Sequence, residues 1–343
     1  MTNRRVLWQG LILILILILG LLVLGCSKKS EPGGEGADSN GDRPERRFLS
    51  IGTAPPGGAF FVVGSAIAEV IGVHTKSLGW QVSAEATKGT QENLRRLDSM
   101  EIDLALANAA ISFFAVRGQE KWEKEYPIRT VMTLAPNIAF FITPDSTGIK
   151  SIADLKGRRV VMGPAGAGFE HFIKPILAAH GLSYDDIKVL NDTQGGAVGL
   201  LADGAADAAF LGGAVPTASI TQACASQSIH FVPFEPQAMD GLVAQFPFFA
   251  RETIPALTYR GQTEPFDCLN VGNMTLVTSA EVDDETVYRV TKTLFEHAAE
   301  VVAKHPAGKA INAKNVIRDT GTPFHSGAIR YFKEAGIWPA DRE

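Results

Sequence analysis

Cysteine is scarce in this chain of 343 residues, with three in all, at positions 26, 224 and 268. So few exclude a disulfide-stapled scaffold and a cysteine-built metal centre. Positive charge is in deficit too, 32 Lys and Arg against 37 Asp and Glu, a net charge of −5. Without a basic stripe interleaved with aromatics, nucleic acid is not an expected partner. The seven histidines are scattered, and none stands in His-Glu-x-x-His or another ligand spacing, so no metal is expected. Glu170 and His171 are adjacent on an expected helix and therefore point to different faces. Gly163 to Gly168 lacks the Gly-Lys-Ser/Thr ending of a phosphate loop. The run Gly166-Ala-Gly-Phe-Glu-His lacks the third small residue of the dinucleotide fingerprint, and no Gly-x-Ser-x-Gly elbow occurs. Neither a cofactor nor a catalytic constellation is indicated.

What is present begins with Arg4 and Arg5, an apolar run from Leu11 to Gly25, and then Cys26-Ser27-Lys28-Lys29. A short positive segment ahead of a Leu/Ile block has the form of a secretory signal, and the block is shorter than the roughly 20 residues of a spanning helix. Val23-Leu24-Gly25-Cys26 resembles a bacterial lipobox, so residues 1–25 are expected to be cleaved and Cys26 to be lipidated. An uncleaved signal anchor is the alternative. Both place the protein outside the cytoplasm at a bacterial membrane, in the periplasm or cell envelope. Residues 26–47 hold Gly, Pro and charge and no large apolar side chain before Arg47, the composition of a flexible tether. The remaining cysteines, Cys224 and Cys268, could pair in an oxidising compartment or stay as buried thiols.

The globular part reads as α/β. Phe48 to Thr53 is an expected strand, Pro55 to Gly58 a turn, and Ala59 to Val73 a buried helix. The same order returns at Arg159–Gly163, Pro164–Gly168 and Phe169–His180. Downstream, Leu97 to Leu106 resembles Leu201 to Phe210, each the end of a helix, a tight turn, an Asp and a short buried strand. A plan used twice predicts two doubly wound lobes joined by two hinge strands. Val131–Thr143 and Leu269–Thr278 are the expected crossings. The lobes are then 48–138 with 272–343, and 139–271. Asp283 is expected to cap a single helix running to Lys304. Both glycine turns open a helix, where free N–H groups and the helix dipole attract an anion, so a ligand is expected in the cleft.

Several further motifs carry a family resemblance. They are Gly57-Gly58-Ala59-Phe60-Phe61, Ser83-Ala84-Glu85-Ala86-Thr87, Ser146 to Gly157, Gly181 to Ile187, Val215-Pro216-Thr217-Ala218 and Pro323 to Tyr331. Together they resemble the TAXI family, the substrate-binding proteins of one branch of TRAP transporters, over residues 48–336. The resemblance implies a two-lobe, type II periplasmic-binding-protein-like fold, monomeric and non-enzymatic. It implies capture of a small organic acid, typically glutamate, 2-oxoglutarate or a related carboxylate, for a TRAP-type permease driven by an ion gradient. The family's binding surface falls on Thr53, Gly57, Gly58, Phe60, Thr87 and Asn108 in the first lobe. In the second it falls on Gly166, Ala167, Gly168, Phe169, Glu170, Gly213 and Val215.

Ala167 and Phe169 replace hydroxyl residues of the family pattern, Phe60 and Phe61 replace tyrosines, and Lys88 stands where Gly is common and could supply a cation. Each lost hydroxyl removes a hydrogen bond of order 1 kcal/mol. The expected ligand is therefore less polar than glutamate, a monocarboxylate with an apolar or aromatic part. The alternative is an ordinary pocket in which backbone N–H groups do the anchoring. Two rival functions share the fold: a ligand-sensing lipoprotein, and an enzyme using Glu170, His171 or Lys88 as acid or base.

Overall fold

A computed structural model describes residues 47–56 and 58–342. The expected signal, the lipidation site Cys26, the tether short of Arg47, and Gly57 all lie outside the described residues. Two β-sheets organise the rest, each built on the same start. In the first, β1 (Arg47–Gly52) pairs in parallel with β2 (Trp80–Glu85) on one side and β3 (Leu104–Asn108) on the other. In the second, β6 (Arg159–Val161) pairs in parallel with β7 (Lys188–Leu190) and β8 (Ala208–Gly213). Parallel neighbours require a crossover, and here it is helical. α1 (Ala59–His74) and α2 (Thr90–Asp98) serve the first sheet. α4 (Glu170–Ala179) and α5 (Gln194–Ala202) serve the second. Between these pairs of helices lies α3 (Ala109–Ala115).

Each sheet then adds antiparallel strands. β4 (Ile128–Thr133) ends in the first sheet and β5 (Ile138–Pro144) begins in the second, so the chain crosses at 134–137. β11 (Phe266–Val271), after β9 (Ile229–Phe231) and β10 (Phe249–Ile254), lies in the second sheet. β12 (Met274–Ser279) lies in the first, making the return crossing only Gly272 and Asn273. The final orders are β2-β1-β3-β12-β4 and β10-β11-β5-β8-β6-β7, with β9 on β5. α6 (Ala218–Ser226) and α7 (Pro236–Gln245) cover the second sheet.

Asp283 accepts from the Thr286 N–H at 2.8 Å and caps α8 (Asp284–Glu296). The helix expected to reach Lys304 is instead two. His297 leaves helical geometry (φ −110°, ψ 26°), and α9 (Ala298–Lys304) starts afresh behind it, followed by α10 (Ser326–Glu334). Periodicity alone did not reveal the break, because apolar spacing continues across it. Cys224 and Cys268 are buried free thiols, and burial pushes them up to about 11 and about 12. Among the described residues no helix is long and apolar enough to cross a membrane.

Candidate functional site

Four helices start at one cavity of about 560 Å³ that has walls from both sheet-centred halves. The first turns of α1 and α2 contribute Gly58, Ala59, Phe60, Gly89 and Thr90. Those of α5 and α6 contribute Thr193, Gln194, Gly195, Thr217, Ala218 and Ser219. The N-terminal N–H groups of these helices lack intrahelical partners, and their dipoles place partial positive charge at the same end. The α1 and α2 starts also lack a side-chain cap. No Asp or Glu is among the lining residues, whereas Lys88 and His305 are. Lys88 is exposed, and its ammonium has no side-chain partner among the described residues. Phe60, Phe169, Phe172 and Phe210 supply an aromatic wall. The cavity is thus apolar over much of its surface and electropositive where it is polar.

Neighbouring side chains hold these helix starts in place. Gln194 donates through Nε2 to the Gly212 carbonyl at 2.8 Å and accepts from the Ser219 hydroxyl at 2.7 Å. It joins the start of α5 to the end of β8 and to the start of α6. Thr193 accepts from the Gly196 N–H at 3.1 Å as N-cap, a role its place before Gln194-Gly195-Gly196 suits. The buried Tyr259 hydroxyl accepts from the Thr217 N–H at 2.8 Å.

The residues singled out in sequence divide into two sets. Gly58, Phe60, Lys88, Asn108, Ala167, Phe169 and Gly213 line the cavity. Asn108 does so with its amide already committed. Oδ1 accepts from the Ala110 N–H at 2.9 Å, and Nδ2 donates to the Gly272 carbonyl at 3.0 Å. It caps α3 and ties that helix to the return crossing. Thr53, Thr87, Gly166, Gly168, Glu170 and Val215 are not among the lining residues. The Thr53 hydroxyl donates to the Glu85 carbonyl at 2.7 Å, and that of Thr87 to the Thr53 carbonyl at 3.0 Å, so both brace strand ends. Glu170 pairs with Lys121 at 3.6 Å. Gly168, at φ +89°, is where the halves meet, since a Cβ there would stand 3.1 Å from Ile111 and 3.4 Å from Gln91.

Thr193, Gln194, Thr217, Ser219, Phe172 and His305 escaped sequence reasoning. A Thr before Gln-Gly-Gly was a usable N-cap signal. His305 offered none, because it reaches the wall from the far end of the chain.

The two-sheet fold with a cleft cavity is that of periplasmic-binding-protein-like structures. A protein from Bordetella bronchiseptica RB50 is similar at 15% identity, over 86% of this chain and 90% of that chain, with TM-score 0.50. The alkanesulfonate-binding protein SsuA from Xanthomonas axonopodis pv. citri, bound to MOPS, is 17% identical over 85% of this chain and 84% of its own, TM-score 0.49. A binding protein component of an ABC phosphonate transporter from Pseudomonas aeruginosa is 13% identical over 76% and 79%, TM-score 0.49. At 15% identity the likeness to the Bordetella protein speaks of fold alone. The chain belongs to the NMT1-like family, whose model matches residues 51–336.

Proposed function

We propose that this chain is the extracytoplasmic substrate-binding component of a membrane transporter, and that its ligand is a small monocarboxylate with an apolar or aromatic body. The observation that carries this reading is the cavity itself: four helix N-termini and Lys88 on a wall without carboxylates, beside four phenylalanines. Its volume of about 560 Å³ is in the range of small-molecule sites. An anionic headgroup suits the N–H groups and the ammonium, and the aromatic wall suits an apolar body. Most lining amides and hydroxyls are already bonded within the protein, so few remain for a second polar group on the ligand.

In this reading 48–138 with 272–343, and 139–271, are the two closing units, hinged at the crossings. The TAXI-like motifs favour a TRAP-type permease as the recipient. Lipidation at Cys26 would keep the protein on the membrane where that permease works. The ligand leaves chemically unchanged.

Thermal-shift titration of the purified chain with a panel of acids tests the ligand. An aryl or alkyl monocarboxylate is expected to raise the melting temperature more than glutamate, and Lys88→Ala to weaken binding about tenfold. Glutamate outperforming every apolar acid would refute the ligand class. A sulfonate outperforming the carboxylate with the same body would reassign the headgroup. Ligand recovered in altered form would overturn the transport role.

A further inference from the structure

Away from the cavity, at the outer end of α1, three metal-ligating side chains come together. His74 closes α1, His297 sits at the break between α8 and α9, and Glu300 lies in the first turn of α9. His74 Nε2 is 2.8 Å and His297 Nδ1 3.1 Å from the same oxygen, Glu300 Oε1. The two imidazoles stack with centroids 3.4 Å apart and planes 14° from parallel. One ligand atom from each of the three residues falls within 4.8 Å of the others. We infer that His74, His297 and Glu300 form a surface site for a borderline first-row divalent cation of the zinc class.

Two imidazoles and one carboxylate suit Zn²⁺, Ni²⁺ or Cu²⁺, whereas Mg²⁺ and Ca²⁺ prefer all-oxygen sites. A tetrahedral zinc with bonds of about 2.1 Å sets its ligand atoms about 3.4 Å apart, whereas the two imidazole–carboxylate spacings here are 2.8 and 3.1 Å. All three side chains are partly exposed, so they reach that spacing by tipping the rings out of their stack, and water completes the coordination. No sequence spacing announced the site, because His74 and Glu300 are 226 positions apart. Histidines scattered along the sequence are brought together here by the packing of α9 on α1. Glu69 and Lys304, paired at 2.7 Å, continue that packing one turn further along. The neighbouring cation is therefore already neutralised.

The site has a structural consequence. α1 begins at the cavity with Ala59 and Phe60, and α9 runs into His305, also at the cavity wall. A cation at the outer end pins this helix pair from behind.

Isothermal titration of ZnCl₂ into the full chain in detergent, after EDTA treatment, tests the inference. One zinc per chain is expected, with MgCl₂ giving no signal. His74→Ala and Glu300→Gln are each expected to weaken binding about tenfold or more. Melting in EDTA checks that the variants fold. Zinc is expected to raise the melting temperature of the wild type and to leave that of His74→Ala unchanged. Absence of saturable zinc binding, or equal binding by wild type and folded His74→Ala, would overturn the site. So would equal binding of magnesium.

Discussion

His171 shows how one residue reports on its surroundings. It is 2% exposed, and its ring lies between those of Phe114 (centroids 5.6 Å, 26°) and Trp122 (5.9 Å, 17°). Neither ring nitrogen has a hydrogen-bond partner. Burial holds its pKa below the ordinary value. Glu170 and Glu120 pull it back up, while Lys174 and Lys121 push it further down. The folded protein therefore keeps His171 neutral, while the unfolded chain protonates it below about pH 6.5. Its contribution to stability is complete above that pH and is lost as pH falls toward the folded-state pKa. His171→Phe keeps the stacked aromatic and removes the titration. Its melting temperature is expected to drop less than that of wild type between about pH 7.5 and about pH 5. An equal drop would show that His171 carries no such linkage. A hydrogen-bonded catalytic imidazole would look different, and this one is packed as an aromatic side chain.

The informative elements are the two crossings, which are stitched by asparagines. Asn270 Oδ1 accepts from the Asn137 N–H at 3.1 Å and the Gly272 N–H at 3.2 Å, and its Nδ2 donates to Asn273 Oδ1 at 2.7 Å. Asn273 Nδ2 donates to the Leu134 carbonyl at 2.9 Å, and Asn108 reaches the Gly272 carbonyl. Gly272 is required at its place. Its φ is +110°, and a Cβ would stand 2.7 Å from the Ala110 nitrogen. Side-chain amides here replace the ladder bonds that the chain gives up in leaving each sheet. Asn270→Ala would strand the buried Gly272 N–H and the half-buried Asn137 N–H, at a cost of about 2 kcal/mol in urea unfolding. A change under about 0.5 kcal/mol, the scale of an ordinary surface substitution, would contradict that account.

At the scale of the molecule, one face of the first sheet has a core of its own, built on Leu104 and Leu106, while the face bearing Ala105 and Ala107 shares a core with the second sheet. One apolar cluster holds Leu94, Leu97, Ala105, Ile111 and Phe114 from the first half together with the second half's Phe140, Phe172, Phe210 and Phe248. Phe113 meets Phe248 at 5.3 Å, and Phe114 meets Phe246 at 6.1 Å, edge to face across the boundary. Shared burial of this kind couples the halves thermodynamically. Scanning calorimetry is expected to show one cooperative transition. Two resolved transitions would mean that the aromatic contact is too weak to link them.

The sequence by itself determined the repeated plan: β1 and α1, then β6 and α4, emerge from alternating runs, glycine turns and helical spacing, which are local signals. It also pointed to Val131–Thr143 and Leu269–Thr278 as crossings by hinge strands, but each is two strands in different sheets, with the crossing in the short break at 134–137 or 272–273. Of the residues singled out around the two glycine turns, Gly58, Phe60, Ala167 and Phe169 line the cavity and Glu170 does not, while Lys88 was legible only through the family resemblance. Only the tertiary structure decided which polar side chains remain free. Thr53, Thr87 and Asn108 have suitable chemistry, yet backbone partners up to 164 positions away occupy them. Gln194 and His305 reach the wall through packing that no spacing encodes. The same holds for His74, His297 and Glu300. Periodicity records which face of an element is buried, whereas a site depends on which faces meet, and that is settled only when the whole chain has packed.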